Sequence, residues 1–190
     1  MYLAAVLEIL SLILSRILPV ELSFENGLIE NLQVIVLIAG AIFSLSLFFQ
    51  TRDARLKWFQ IFCAAAFLLV TFRELSWGRV FFPIAQENFG PVFVDMKDYH
   101  FRMQVYFFIA VYGAAMLFIL FKFIPVKKFL QCKFPTKIFA VLIVAIVCQY
   151  LGKHGYFLDR TTGQMFEELN ELIAYSCFPA ICLHYHKNFK

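Results

Sequence analysis

Charge is what this sequence has least of. Only 16% of its 190 residues are Asp, Glu, Lys or Arg, whereas a soluble domain carries about a quarter. Apolar residues fill the gap, at 62% of the chain with a mean hydropathy of +0.75. Several chemistries also lack their signatures. There is no H-E-x-x-H, no G-x-S-x-G, no phosphate-cradling glycine loop and no C-x-x-C-H haem attachment. The five cysteines (Cys63, Cys132, Cys148, Cys177 and Cys182) form no C-x-x-C pair and read as small core residues, not as a disulfide framework or zinc knuckle. The net charge of +4 is spread unevenly over loops, so it does not mark a nucleic-acid partner. No internal repeat or low-complexity tail occurs, and the N-terminus lacks the basic region and small-residue cleavage site of a removed signal peptide.

What is there is a series of apolar runs of membrane-spanning length, each bounded by charges. The pattern predicts an all-α polytopic transmembrane bundle in a single domain, residues 1–190. Its helices fall at about 2–20, 28–49, 58–77, 101–123, 134–152 and 163–185. The first run is interrupted by Glu8 and Arg16. It is read as spanning, giving six membrane helices, with five as the alternative if it lies in the interface. On the second helix, Glu30, Gln33, Leu37, Gly40 and Ser44 fall on one face, a small and polar stripe suited to helix contacts. Between helices three and four, Pro83 and Gly90-Pro91 read as breakers of regular structure.

Loop charges give the orientation. Every acid except Glu8 and Asp53 lies in the first, third or fifth loop or at the helix ends beside them. The second and fourth loops and the tail hold most of the lysines. Short basic loops stay in the cytoplasm, which places the C-terminus inside and the acid-rich loops outside.

That orientation gathers ionisable groups from separate helices at one membrane face. Glu30 opens helix two, Glu74 closes helix three, His100 opens helix four, His154 follows helix five, and Glu167, Glu168 and Glu171 open helix six. Arg73, Arg79 and Arg102 lie at the same level, with Trp77 as an interfacial anchor. Carboxylates within a span are costly and face the bundle to find partners. Glu171 lies three residues from Glu168 and four from Glu167, so carboxylates stack on one helix face. Like charges that close favour a metal, a shared proton or an arginine between them. His100 and Gln104 share a face and are expected to point inward. The sharp reading is therefore a divalent-metal site of Glu30, Glu74, His100 and Glu171, of the kind built into helical bundles, with the metal activating water toward a lipid-linked substrate. The plain reading leaves helix-end charges in water and headgroups, and it is adopted for Glu21, Glu25, Glu87, Asp95 and Asp159.

Two segments carry a resemblance. Glu25-Asn-Gly-Leu-Ile-Glu-Asn31 and Arg73-Glu-Leu-Ser-Trp-Gly-Arg79 resemble the E-D-G-x-I-E and E-E-I-S-W-G-Q-R segments of an uncharacterised family of small bacterial polytopic membrane proteins. Asp98-Tyr-His100 and Glu167-Glu-Leu-Asn-Glu171 occupy places comparable to that family's later motifs. Asn26 replaces the acid of the first motif, Arg73 replaces the first glutamate of the second, and the glutamine before the arginine is missing. The resemblance implies an integral membrane protein and no particular activity. Arg73 beside Glu74 weakens a metal site that needs several anionic ligands.

The function expected from these residues is an interaction or sensing subunit of a membrane complex. Its partners would be membrane lipids and other envelope proteins, with a polar cluster of Glu30, Arg73, Glu74, Trp77, Arg79, His100, Arg102, Gln104, Glu168 and Glu171 at the outer face. An envelope enzyme using the metal set is the alternative. A transporter or channel is less favoured, because the charged groups stop near one face instead of continuing through the span.

Overall fold

The computed structural model describes residues 2–87, 90–156 and 158–189. Six long helices account for most of them: α1 (Tyr2–Ile17), α2 (Leu28–Gln50), α3 (Ala54–Glu74), α4 (Arg102–Phe123), α6 (Thr136–Lys153) and α7 (Arg160–Asn188), with a short α5 (Val126–Gln131) between α4 and α6. Four of them, α2, α3, α4 and α6, are long and apolar enough to cross a membrane. α1, with 16 residues, reaches only about 24 Å at 1.5 Å per residue. α7, with 29 residues, is long enough but carries the polar residues of the site.

The ends of these helices differ from the sequence-based bounds where capping and turn chemistry intervene. α3 starts at Ala54, not Trp58, because the Asp53 carboxylate accepts the N–H groups of Arg55 and Leu56 and caps the helix. It stops at Glu74, three residues short of Trp77. There the chain turns through three residues with positive φ: Ser76 (46°), Trp77 (58°) and Gly78 (89°). Glycine tolerates this region freely, whereas serine and tryptophan are held in it against their preference. α4 begins at Arg102, so Asp98 and His100 precede it. The loop read as irregular instead forms an antiparallel hairpin of β1 (Pro83–Glu87) and β2 (Gly90–Phe93). Pro83 sits at the first position of its strand, where a missing N–H does little harm.

α7 is the central element. It packs against α6, α2 and α1, and α2 packs on α3. Where α6 meets α7, Gly152 and Gly163 bring the two backbones together. A Cβ on Gly152 would stand 2.9 Å from the Gly163 carbonyl oxygen, and one on Gly163 would stand 2.8 Å from that of Gly152. α4 lies at the edge against α3, with none of its residues buried. A further cluster closes the opposite end of the bundle. Leu56, Ile124 and Phe129 are buried there, and the Phe129 ring lies 4.5 Å from that of Phe59 and 4.6 Å from that of Phe189.

Polar side chains are shielded among the apolar clusters of the interior, and large apolar ones cover the outside. Gln33, Ser44, Gln60 and Asn170 are fully shielded at 0% exposure, while leucines, isoleucines and phenylalanines of α1, α2, α4 and α6 face outward. The stripe on α2 is part of this interior: Gln33, Leu37, Gly40 and Ser44 are buried, and Gly40 is close enough to Phe67 that a Cβ would meet its ring at 2.8 Å.

Candidate functional site

The ends of α2, α3, α6 and α7 surround an open cavity of about 900 Å³. Each wall follows from local sequence. Glu30 is in the first turn of α2, where a carboxylate suits the helix dipole, and it accepts the backbone N–H of Asn26 just ahead of the helix. Arg73 is the basic residue in the last turn of α3, its favoured place for the same reason. Glu167, Glu168 and Glu171 follow two turns after Asp159, which caps α7 by accepting the Thr162 N–H at 3.2 Å. Thr161 Oγ1 also donates to Asp159, and these bonds hold its carboxyl below the usual carboxylate range. At the mouth, Ser76 Oγ donates to Glu25 at 3.0 Å, and Arg79 fastens the turn to β2's end by donating to the carbonyls of Ser76 and Val94, each at 3.1 Å.

The cavity floor is a small network centred on Arg73. Its Nη1 lies 2.9 Å from Tyr175 Oη and 3.2 Å from Glu74 Oε1, and its Nη2 lies 3.4 Å from Glu171 Oε1. Tyr175 in turn donates to Glu74 Oε1 at 2.7 Å, and Gln149 Nε2 donates to Glu171 Oε1. The two carboxylates are nearly buried, at 7% and 8% exposure, while the Arg73 side chain keeps 56% of its surface open. One guanidinium therefore serves two shielded acids and still shows a free edge to the cavity. Beside them, Glu168 takes its hydrogen bond from the neutral amide of Gln33, at 2.8 Å. Lys153 pairs with Glu167 at 3.1 Å. Among the described residues neither Glu30 nor Glu168 has an ion-pair partner.

Of the cluster expected from sequence, Glu30, Arg73, Glu74, Trp77, Arg79, Glu168 and Glu171 line this cavity. His100, Arg102 and Gln104 do not. His100 is exposed with its ring against Phe101, Arg102 donates to the Lys97 carbonyl at 2.6 Å, and Gln104 is exposed on α4. The reason is twofold: α4 lies at the edge of the bundle, and it begins at Arg102, so His100 stands outside the helix and shares no face with Gln104. The metal set falls with His100. Among the described residues, no three of His, Cys, Asp and Glu are grouped to hold an ion. His154, which follows helix five in the sequence, lines the cavity together with Lys153, Arg160 and Gln164. Tyr175 and Gln149 were missed altogether. The available signal was their spacing, since Tyr175 follows Glu171 by one helical turn and Gln149 precedes Lys153 by one.

No protein-family model matches the chain, and no curated protein or solved structure matches it.

Chemically, the lining is richer in acids than in bases. Six glutamates face the cavity against four lysines and arginines, and the imbalance lies at Glu30 and Glu168. Arg73 adds a spare donor edge suited to an oxyanion beside them.

Proposed function

We propose that this is an integral protein of a bacterial inner membrane, crossing it six times with the C-terminus in the cytoplasm. In this reading it acts as an interaction or sensing subunit, and its outer cavity receives a cation-bearing component of the envelope. The outward-facing apolar surface and the shielded Gln33, Ser44, Gln60 and Asn170 support an apolar surrounding, in which polar groups must find their partners inside. α7 tolerates its polar residues in a span because α1, α2 and α6 cover it. The exposed Phe81, Phe82 and Ile84 beside the cavity mouth offer a surface to lipid or to a partner subunit.

One observation carries the ligand assignment: of four inward carboxylates, Arg73 serves only Glu74 and Glu171, which leaves Glu30 and Glu168 with neutral donors only. A charge left that way favours a ligand cation, because burial strengthens its attraction above that of an exposed pair. The test uses purified full-length protein in detergent with ethanolamine as the ammonium probe and acetate as the control, read by thermal unfolding. Ethanolamine raises the midpoint, acetate does not, and the response disappears in Glu30→Gln/Glu168→Gln. An equal response to both solutes, or one that survives the double substitution, overturns the assignment.

A further inference from the structure

Below the polar cavity lies a second one of a different character. It occupies about 300 Å³ in the seam between α3 and α7, and its lining includes Phe62, Cys63, Ala66 and Val70 from one helix and Phe178 and Ile181 from the other. No charged residue borders it. α3 and α7 both pack on α2 and touch each other sparingly, which leaves the seam open along its outer side.

The two cavities share no lining residue but follow one another along α3 and α7. Arg73 and Tyr175, at the floor of the polar cavity, each stand three residues from a lining residue of the seam, Val70 and Phe178 respectively. On a helix that is about 4.5 Å, less than one turn. From Phe59 to Val70 the seam runs about 16 Å along α3, roughly half of a hydrocarbon core about 30 Å thick. A groove one leaflet deep therefore hangs beneath a polar chamber.

We infer that the two neighbouring cavities together form a binding site for an aminophospholipid of the outer leaflet. Its acyl chain lies in the α3–α7 seam, its phosphate meets the open edge of Arg73, and its ammonium meets Glu30 and Glu168. The order of groups along the site matches the order along such a lipid. The apolar seam comes first, then a guanidinium with unused N–H donors, then carboxylates lacking a cation. An anionic headgroup without an amine satisfies Arg73 but leaves Glu30 and Glu168 facing more negative charge. This inference rests on the cation-receptor reading given above and adds the lipid chain to it.

The test compares retention of phosphatidylethanolamine and phosphatidylglycerol by the full chain, purified from bilayers of equal parts of the two and analysed by native mass spectrometry. The wild type retains the ethanolamine lipid about tenfold over the glycerol lipid, the discrimination expected of one charge-assisted contact. Glu168→Gln removes the preference while lipid is still retained. Ala66→Phe, which fills the seam, removes the retained lipid but keeps the thermal response to soluble ethanolamine. Ile181→Trp, on the opposite wall, repeats that result if Ala66→Phe does not fold. Equal retention of the two lipids by the wild type, or undiminished retention by a folded seam variant, overturns the inference. If soluble ethanolamine still binds in that case, the cation receptor stands without its lipid. If it does not, both fall.

Discussion

Replacing Arg73 with methionine tests whether the floor of the cavity is an electrostatic unit. The substitution keeps the length and packing of the side chain but removes its contacts to Tyr175 at 2.9 Å, Glu74 at 3.2 Å and Glu171 at 3.4 Å. Hydrogen bonds to charged groups are worth about 1.5–3 kcal/mol each in shielded settings, whereas exposed ion pairs contribute about 0–1 kcal/mol. With its side chain 56% exposed, Arg73 makes these contacts nearer the weaker range, but its removal leaves Glu74 and Glu171 unpaired where both are nearly buried. The net loss is set at about 2 kcal/mol, which lowers the unfolding midpoint of a chain this long by about 4–8 °C. Thermal unfolding in detergent measures it. Adding Glu171→Gln to Arg73→Met removes one of the two opposed carboxylates and keeps an acceptor for Gln149, so it restores about half of the lost midpoint, as expected for residues in one network. The reasoning fails if Arg73→Met unfolds with the wild type, or if Glu171→Gln shifts the midpoint equally in both backgrounds.

Two further outcomes test the proposed orientation and the start of α7. If the C-terminus is cytoplasmic as proposed, His154→Cys reacts with a membrane-impermeant maleimide in intact cells, whereas Lys133→Cys reacts only after permeabilisation; the reverse pattern refutes the orientation. At the start of α7, the hydrogen bonds of Thr161 and Thr162 lower the Asp159 pKa on folding. A depressed carboxylate stabilises the fold fully above its unfolded value, and the contribution is lost as pH falls through the folded value. The midpoint difference between wild type and Asp159→Ala is therefore constant above about pH 4, the ordinary carboxylate range, and shrinks progressively below it. A difference that grows in acid contradicts the capping role.

Helical class was legible because apolar runs of spanning length leave few other solutions in a chain so poor in charge. Most of the acid cluster was legible too, since loop charges place helix ends at a common level without any knowledge of packing. What the pattern does not contain is which helix is central. The four-residue spacing of His100 and Gln104 suggests a shared face, yet α4 begins only at Arg102, lies at the edge and buries nothing. Tyr175 was passed over for the complementary reason. A tyrosine inside an apolar run reads as packing until the neighbouring helix brings Arg73 and Glu74 to its hydroxyl. The hairpin was hidden by its own boundary residues, because Pro83 and Gly90-Pro91 serve strand ends as well as they break helices. The left-handed turn at Ser76-Trp77-Gly78 carries a glycine at only one of its three positions, so residue preference gives little warning of the other two.

The glycine pair joining α6 to α7 sets an uneven rule for how this chain can diverge. Along α6, Ile143, Val144, Ile146 and Val147 face outward, and any apolar side chain there meets only its surroundings. One end of the same helix allows no such freedom. At Gly152 even a methyl group would press on the Gly163 carbonyl, the Glu167 backbone nitrogen and the Phe166 ring together, and the helix carrying Glu168 and Glu171 would have to retreat. Drift in the outward stretch leaves the chamber intact, while a single methyl at either glycine changes its width. A lineage that kept the ligand would scramble the one and hold the other fixed.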